Sequence, residues 1–191
     1  MQRAWNRTRL PLVTVGVAFF MGGCVTQTKY NAMLSQQQQF ETTQQQLESA
    51  LQTEVSSQQA EIKVLENGIQ VRLSSDLLYA SGAVELGAAG RAAIDKVAGK
   101  LASQTQTYEI DVIGNTDNVP IGPELAERYP SNWELAGARA AIVVRRLQER
   151  GVDPSALRSV SDGQYHPVGS NDTAAGRAQN RRTDILLRPR Q

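Results

Sequence analysis

Two residue types that build many active sites are almost absent from this sequence. The chain has one cysteine, Cys24, and one histidine, His166, among 191 residues. A lone cysteine excludes an intramolecular disulfide, and a lone histidine without cysteine or histidine companions does not make a zinc site. We therefore expect neither a metal nor a cofactor, and we place His166 on the surface of a loop.

Aromatic residues and excess charge are also scarce. Aromatic side chains make up 5% of the chain, and the formal net charge is +1. So small a charge argues against a nucleic-acid-binding surface. Asp117, Glu124 and Glu127 bring carboxylates close together in sequence, as glycosidases require, but no Ser-His-Asp, Cys-His or histidine-rich zinc pattern accompanies them. An enzyme acting on polysaccharide is therefore not expected.

The N-terminus has the pattern of an export signal. Three arginines precede an apolar run at residues 10–20. This run is short for a membrane span, which needs about 20 residues, so residues 1–23 are predicted to be a cleaved signal peptide. A permanent N-terminal anchor helix is the alternative.

The residues before the cysteine indicate how the protein is anchored. Met21-Gly22-Gly23-Cys24 resembles the lipobox of bacterial lipoproteins, with methionine where leucine is usual. The resemblance implies cleavage before Cys24 and lipid modification of that cysteine. Several acyl chains anchor stably, whereas one chain is marginal. The residue after the cysteine is Val25 and not aspartate, and by resemblance to enteric lipoproteins this implies the periplasmic face of the outer membrane.

The segment after the cysteine predicts a spacer. Residues 24–29 read as a short tether, and residues 30–66 are rich in Gln, Glu, Ser and Ala without Pro or Gly. Apolar residues recur in that segment at steps of seven, four and three, which indicates a long solvated helix or a weak coiled coil. Disordered low-complexity sequence is the alternative. A helix of this length would span about 55 Å and could mediate self-association.

Residues 67–191 read as one domain. Asn67-Gly68 is interpreted as a helix stop, and the alternation at residues 69–73 predicts a strand. Helices and strands then alternate. A capping box at Ser131 to Glu134 begins the helix between the second and third predicted strands. The order β-α-β-α-β-α-β predicts an α/β (α+β) sandwich with its helices packed on one face of the sheet.

One arginine falls where a helix should be apolar. On a helical wheel Arg139 lies between Ala138, Ile142 and Val143 on the apolar arc. A buried guanidinium without a partner costs several kcal/mol, and Asp117, just after a strand, is the nearest candidate. Either the two residues form a ligand pocket, or they form a salt bridge that only attaches the loop to the helix.

Three ordered motifs carry a family resemblance. They are Thr116 to Ile121 (TDNVPI), Ser131 to Leu135 (SNWEL) with Arg139-Ala140, and Gly176 to Arg182 (GRAQNRR). The region from residue 69 to 187 thereby resembles the OmpA-like peptidoglycan-binding domain, most closely its flagellar stator version. The loop of residues 162–167 departs from the glycine–aromatic–glycine pattern that is common there.

The resemblance implies a ligand and its contacts. In that family an aspartate after the second strand and an arginine in the next helix bind diaminopimelate of the peptidoglycan stem peptide. These positions are Asp117 and Arg139, and Asn132, Thr116 and Leu135 are expected to line the same pocket. For Arg181 the choice between ligand contact and scaffold stays open, whereas Asn180 and Arg182 are expected to brace loops.

The resemblance also implies a function. We expect non-catalytic binding of peptidoglycan, which would anchor the outer membrane to the cell wall. The alternative is a lipoprotein of a secretion, motility or signalling complex that uses the helical segment to bind a protein. A stator subunit itself is disfavoured, because the apolar run of residues 10–20 contains no ionisable residue.

Overall fold

The computed structural model describes residues 27–80 and 82–190. The predicted signal peptide at residues 1–23 and the predicted lipidation at Cys24 lie outside these ranges and remain predictions from sequence. Within the described ranges, no helix has both the length and the hydropathy that crossing a membrane requires.

The described residues form five strands and seven α-helices. The strands are β1 (Ala60–Leu65), β2 (Gly68–Ser74), β3 (Tyr108–Asn115), β4 (Leu157–Gly163) and β5 (Arg182–Pro189). The helices are α1 (Gln27–Ala50), α2 (Gln52–Ser56), α3 (Ser75–Leu78), α4 (Ala88–Leu101), α5 (Pro123–Ala126), α6 (Asn132–Glu149) and α7 (Ala174–Asn180), with a 3-10 turn at Pro154–Ala156.

The strands form one sheet, and its topology places the C-terminal ends of three strands on the same side of the sheet. The spatial order is β1-β2-β5-β3-β4, and only the β3–β4 pair is parallel. Strands β2, β3 and β4 therefore run in one direction and β5 runs in the other. Arg182, at the start of β5, pairs with both Ser74 and Asn115 at the ends of β2 and β3. The α/β class with helices against the sheet is confirmed, but the sheet has five strands where four were predicted.

The extra strand corrects the prediction of a helix through residue 66. Strand β1 pairs with β2 in a tight hairpin, with Leu65 opposite Gly68. Asn67 therefore lies in the hairpin turn and Gly68 begins β2, so the Asn-Gly pair does not stop a helix. Ala60 and Ile62 are buried and alternate with charged neighbours, which is the period of two of a strand. The three-residue spacing of Ile62 and Leu65 also fits a helix, and this is why the strand was not predicted.

The long helix is also shorter and less solvated than predicted. Phe40, Leu47 and Leu51 are buried in the core of the domain, and the Phe40 ring stacks on Tyr108 with centroids 6.2 Å apart. Residues 27–39 are exposed throughout. At 1.5 Å per residue, the projecting part of α1 is about 20 Å long, less than half of the predicted spacer.

Helix α6 begins where the capping box predicts. The Ser131 hydroxyl oxygen accepts a hydrogen bond from the backbone N–H of Trp133 at 3.2 Å, and the hydroxyl donates to the Glu134 carboxylate. These bonds satisfy groups that would otherwise be unpaired in the first turn. The helix then buries an apolar face made of Leu135, Ala136, Ala140, Val143 and Leu147.

A glycine allows α6 to lie directly on β3. A Cβ atom at Gly114 would come within 2.1 Å of the Ala136 carbonyl oxygen. Any other residue would force helix and strand apart. The close approach brings the Arg139 face of α6 beside the loop that leaves β3, and so creates the cavity described next.

Candidate ligand-binding site

A cavity of about 460 Å³ opens at the end of the sheet where strands β2, β3 and β4 end and β5 begins. All of the residues predicted to bind ligand line it, namely Thr116, Asp117, Asn132, Leu135, Arg139 and Arg181. The structure thus brings together side chains that are up to 65 positions apart in sequence. Their contact with a ligand remains a prediction.

Each lining residue is placed by a simple feature of the fold. Thr116 and Asp117 directly follow β3, and Arg181 directly precedes β5, which pairs with β3. Asn132, Leu135 and Arg139 are three and four residues apart on α6, so they share one face of the helix. The site is therefore built on a strand end and a helix rather than on a single loop.

Asp117 is buried, and both of its carboxylate oxygens have partners in the protein. Its Oδ2 accepts from Nη1 of Arg181 at 2.9 Å, and its Oδ1 accepts from the backbone N–H of Val119 at 3.1 Å. The alternative of a salt bridge between Asp117 and Arg139 is therefore wrong. Arg181 takes its place because antiparallel pairing of β3 and β5 brings the residue before β5 beside the residue after β3.

Arg139 is stabilised without a carboxylate. Its Nη2 and Nε donate to the Ala83 carbonyl oxygen at 2.8 and 3.3 Å, and its guanidinium carbon lies 4.9 Å from the centroid of the Tyr79 ring. Within residues 27–80 and 82–190 no carboxylate forms an ion pair with it. A carbonyl dipole and a cation–π contact partly compensate a charge, so the guanidinium can still accept an anionic ligand.

Burial shifts the pKa values of Arg139 and of Tyr79, the ring that it contacts. Desolvation lowers the pKa of Arg139. The nearby Tyr79 opposes this shift, the positive charge of Arg181 adds to it, and the negative charge of Asp117 opposes it. An arginine side chain nevertheless keeps its charge throughout the physiological range. Burial raises the pKa of Tyr79 to about 12, so its hydroxyl stays protonated and can donate.

Asn132 and Thr116 fix the loop that carries Asp117. Nδ2 of Asn132 donates to the carbonyl oxygens of Asp117 and Val119 at 3.3 and 3.2 Å, and to Oε1 of Gln164 at 2.8 Å. The Thr116 hydroxyl donates to the Asp117 carbonyl at 2.8 Å. The Asn132 nitrogen is therefore occupied, and its side-chain oxygen is the atom that it can offer to a ligand.

The arginine-rich motif before β5 divides into scaffold and cavity residues. The fully buried Asn180 accepts from the backbone N–H groups of Val168 and Gly169 at 2.7 and 2.9 Å. Arg182 donates to the exposed His166's carbonyl at 3.1 Å, so both residues brace the loop as predicted. Arg177 and Arg181 instead line the cavity.

Sequence reasoning missed Tyr79, the Ala83 carbonyl, Gln164 and Asp76. Asp76 lies 3.7 Å from Nη2 of Arg181, and it follows β2 as Asp117 follows β3. The parallel direction of the two strands would have predicted this, but only once the sheet order was known. Tyr79 and Ala83 lie in the α3–α4 connection, whose path carries no sequence signal.

The charges at the cavity favour an anionic or zwitterionic ligand. Arg139, Arg177 and Arg181 line it together with a single carboxylate, that of Asp117. Glu124 and Glu127 are exposed and lie outside the lining. Three guanidinium groups against one carboxylate favour a ligand that carries more carboxylates than ammonium groups.

A larger cavity of about 600 Å³ lies on another part of the surface, between α2, β1 and β2. Its charged lining residues are already paired, since Arg72 bonds to both Glu61 and Asp184, and Arg182 bonds to Asp184. It offers no group comparable to Arg139, so we place the site at the smaller cavity.

Comparisons with known proteins fit this architecture. "Motility protein B" of Bacillus subtilis is 31% identical over 69% of this chain and 49% of its own length, and "Probable lipoprotein YiaD" of Escherichia coli is 34% identical over 64% and 52%. The chain thus spans about half the length of these relatives. The structure of the cell wall anchor of the T6SS from Pseudomonas aeruginosa superposes with a TM-score of 0.67 at 28% identity, over 75% of this chain and 97% of that one.

A family model confirms the assignment at the level of the domain. The model described as "OmpA family" matches residues 78–181, which is more than half of the chain and includes every residue of the cavity named above. The first two motifs noted in the sequence, and the third as far as Arg181, lie inside the matched range. The chain belongs to the OmpA family.

Proposed function

We propose that the protein binds peptidoglycan without cleaving it, by holding the diaminopimelate of a stem peptide in the cavity between Asp117 and Arg139. The observation that carries this proposal is the half-buried Arg139 guanidinium, which has no carboxylate partner in the described structure and lines the same cavity as the Asp117 carboxylate. The head group of diaminopimelate carries one ammonium and one carboxylate, the two charges that these side chains complement.

The contacts can form without dismantling the site. Each carboxylate oxygen accepts more than one hydrogen bond, so Asp117 can receive the ligand ammonium while it keeps Arg181 and Val119. Arg139 has N–H groups beyond the two that bond to Ala83, and these can donate to the ligand carboxylate. Arg177 and Arg181 would attract the further carboxylates of a stem peptide.

The relatives support a role at the cell wall. The Pseudomonas aeruginosa protein of similar structure is described as a cell wall anchor, and the similarity covers the region that holds the cavity. By the same reasoning, the proposed lipid at Cys24 would tie the outer membrane to the wall. That the Escherichia coli relative is named a probable lipoprotein agrees with this placement.

A pull-down with purified sacculi tests the proposal. Asp117→Ala and Arg139→Ala should abolish sedimentation with the sacculi, while thermal unfolding shows a folded domain. The matched controls are Glu124→Ala in the exposed first turn of α5 and Arg145→Ala on the exposed side of α6, both of which should bind as wild type does. Unchanged binding by both site variants would refute the pocket. Soluble muropeptides released by the wild-type protein would refute non-catalytic binding.

A second function, self-association, is favoured by the exposed start of α1. Tyr30, Met33 and Leu34 are large hydrophobic residues at helical spacing, and Met33 is 65% exposed. Together they form an apolar stripe on the part of the helix that projects from the domain. If two copies pair through this stripe, Met33→Glu should convert a dimer to a monomer in light scattering, and Gln38→Glu should not. A monomeric wild-type protein would exclude self-association.

A further inference from the structure

Two exposed aromatic rings stack beside a residue that lines the cavity, since Trp133 directly follows Asn132 in sequence. The Trp133 and Tyr165 ring centroids are 5.2 Å apart with an interplanar angle of 25°. Trp133 is 45% exposed and Tyr165 is 60% exposed. In a chain with 5% aromatic residues, two large rings that remain this exposed form an unusual surface.

The aromatic pair is attached directly to the cavity. Trp133 follows Asn132, and Tyr165 follows Gln164, and these two preceding residues share the 2.8 Å hydrogen bond from Nδ2 of Asn132 to Oε1 of Gln164. Trp133 is therefore one residue away from Asn132, which lines the cavity. Tyr165 is one residue away from Gln164, which bonds to Asn132.

The geometry of the pair is also well supported. The Ser161 hydroxyl donates to the Trp133 carbonyl at 2.7 Å. Gly163 has φ +55°, and a Cβ atom there would come 3.3 Å from Cδ2 of Trp133, so the strand end packs closely against the indole. A conformation that glycine favours thus sets the loop direction and places Tyr165 over Trp133.

Holding the fold together does not account for these rings. The capping contact of Trp133 uses its backbone N–H, and its carbonyl contact uses its backbone oxygen. Neither ring belongs to the hydrophobic core. In the part of the chain that the structure describes, the indole N–H and the Tyr165 hydroxyl have no hydrogen-bond partner. Both rings therefore keep an apolar surface and a polar group for an external partner.

We infer that the Trp133–Tyr165 pair is a second subsite, which binds a pyranose ring of the glycan strand. The C–H groups on one face of a pyranose pack on an aromatic ring, whose face is electron-rich. The indole N–H and the phenol hydroxyl can bond to hydroxyl or acetamide groups of an N-acetylhexosamine. Such a ligand is uncharged around its ring and matches an aromatic surface better than the arginine-lined cavity.

This inference rests on the proposed function and extends it. A stem peptide is covalently attached to the glycan, and its third residue lies within about 10 Å of the sugar along an extended chain. A protein that holds the third residue in the cavity therefore has the sugar within reach of its rim. Binding at two linked points would raise the affinity for intact peptidoglycan above that for the peptide alone.

Titration of the full-length protein in detergent with matched ligands separates the two subsites. The probes are the tripeptide L-Ala-γ-D-Glu-meso-diaminopimelate and the same tripeptide joined to the N-acetylglucosaminyl–N-acetylmuramyl disaccharide. Tyr165→Ala should weaken binding of the disaccharide-tripeptide about threefold to tenfold, as expected for one aromatic contact, and should leave tripeptide affinity unchanged. Tyr165→Phe keeps the ring and loses only the hydroxyl, so its affinity for the disaccharide-tripeptide should lie between those of wild type and Tyr165→Ala. Val168→Ala, at an exposed residue of the same loop, is the matched control.

Two results would overturn the sugar subsite. One is an unchanged affinity of Tyr165→Ala for the disaccharide-tripeptide, and the other is an equal loss for both ligands, which would mean that the rings only support the cavity. Failure of the proposed function has a different signature, a wild-type protein that does not bind the tripeptide. In that event, NMR titration with the peptide-free disaccharide still decides, because the inference requires shifts at the Trp133 indole N–H and their absence would refute it.

Discussion

Arg181 Nη1 lies 2.9 Å from Oδ2 of Asp117, while Arg139, in the same cavity, donates to a backbone carbonyl. The two arginines therefore have different roles. Arg181 neutralises and orients the only carboxylate that lines the described cavity, and Arg139 keeps its charge available. The salt-bridge alternative, which paired Asp117 with Arg139, named the wrong partner for Asp117, and ligand binding by the two residues stays a prediction.

Replacing Arg181 with alanine should weaken peptide binding and slightly destabilise the fold. The Asp117 carboxylate would lose its ion pair, which costs about 1 kcal/mol for a pair that is partly open to solvent. Urea denaturation and tripeptide titration measure the two effects. In the Asp117→Asn background the stability cost should shrink, because the charge that Arg181 neutralises is gone; an equal cost in both backgrounds would show that the pair is not coupled.

Tyr79 should matter for binding through its ring rather than its hydroxyl. Tyr79→Phe keeps the cation–π contact with Arg139 but loses the hydrogen bond to the Arg139 carbonyl at 3.2 Å. We expect a loss of about 1 kcal/mol in the free energy of unfolding and nearly unchanged tripeptide affinity. Tyr79→Leu removes the ring and should reduce the affinity several-fold. If Tyr79→Phe and Tyr79→Leu lose affinity equally, the ring does not position Arg139.

Asp95 should make stability depend on acid pH. It accepts hydrogen bonds from Arg146 and Arg150, at 2.5 to 2.9 Å, and so joins α4 to the end of α6. Burial alone would raise the pKa of Asp95, but the bonds from the two arginines outweigh it and lower that pKa below its ordinary value.

The sign of the pH effect follows from that lowered pKa. A carboxyl group whose pKa is lower in the folded than in the unfolded state stabilises the fold above the unfolded value, which is about 3.9 for aspartate, and the benefit disappears as the pH falls through the folded value. Asp95→Asn should thus be less stable than wild type at pH 7, and the gap should close below about pH 4. Glu85→Gln, at an exposed residue, is the control, and a gap that stays constant with pH would contradict the assignment.

The second half of α1 should behave as part of the domain. Leu47→Ala should cost about 2–5 kcal/mol of unfolding free energy, as is typical for a large buried residue, whereas Met33→Ala should cost almost nothing. For the same reason a fragment of residues 67–191, which lacks β1 and the packed part of α1, should be much less stable than one of residues 40–191. Urea denaturation of the four proteins checks this, and equal stability of the two fragments would contradict it.

The sequence predicted the elements that local signals specify. The capping box at Ser131 set the start of α6 to the residue, and the alternation at residues 69–73 located β2. Within the Gly176 to Arg182 motif, Asn180 and Arg182 brace a loop, as expected. The family's motifs also named six residues that the fold assembles in one cavity.

The errors arose where two periods or two partners competed. Ile62 and Leu65 fit a helical step as well as a strand, and only pairing with β2 decides between the two. The apolar stripe at Phe40, Leu47 and Leu51 could not reveal whether it packs on a second copy or on its own domain. The partner of Asp117 depended on the position of β5 beside β3, a long-range relationship that no local pattern encodes.

The most direct test of the proposed ligand is binding to sacculi that differ at the third residue of the stem peptide. Sacculi with diaminopimelate present the ammonium and the carboxylate that Asp117 and Arg139 complement, whereas lysine in its place lacks that carboxylate. We predict that the full-length protein sediments with the first and not with the second, and that Arg139→Ala fails with both. Equal sedimentation with both kinds of sacculi would contradict recognition of diaminopimelate in this cavity.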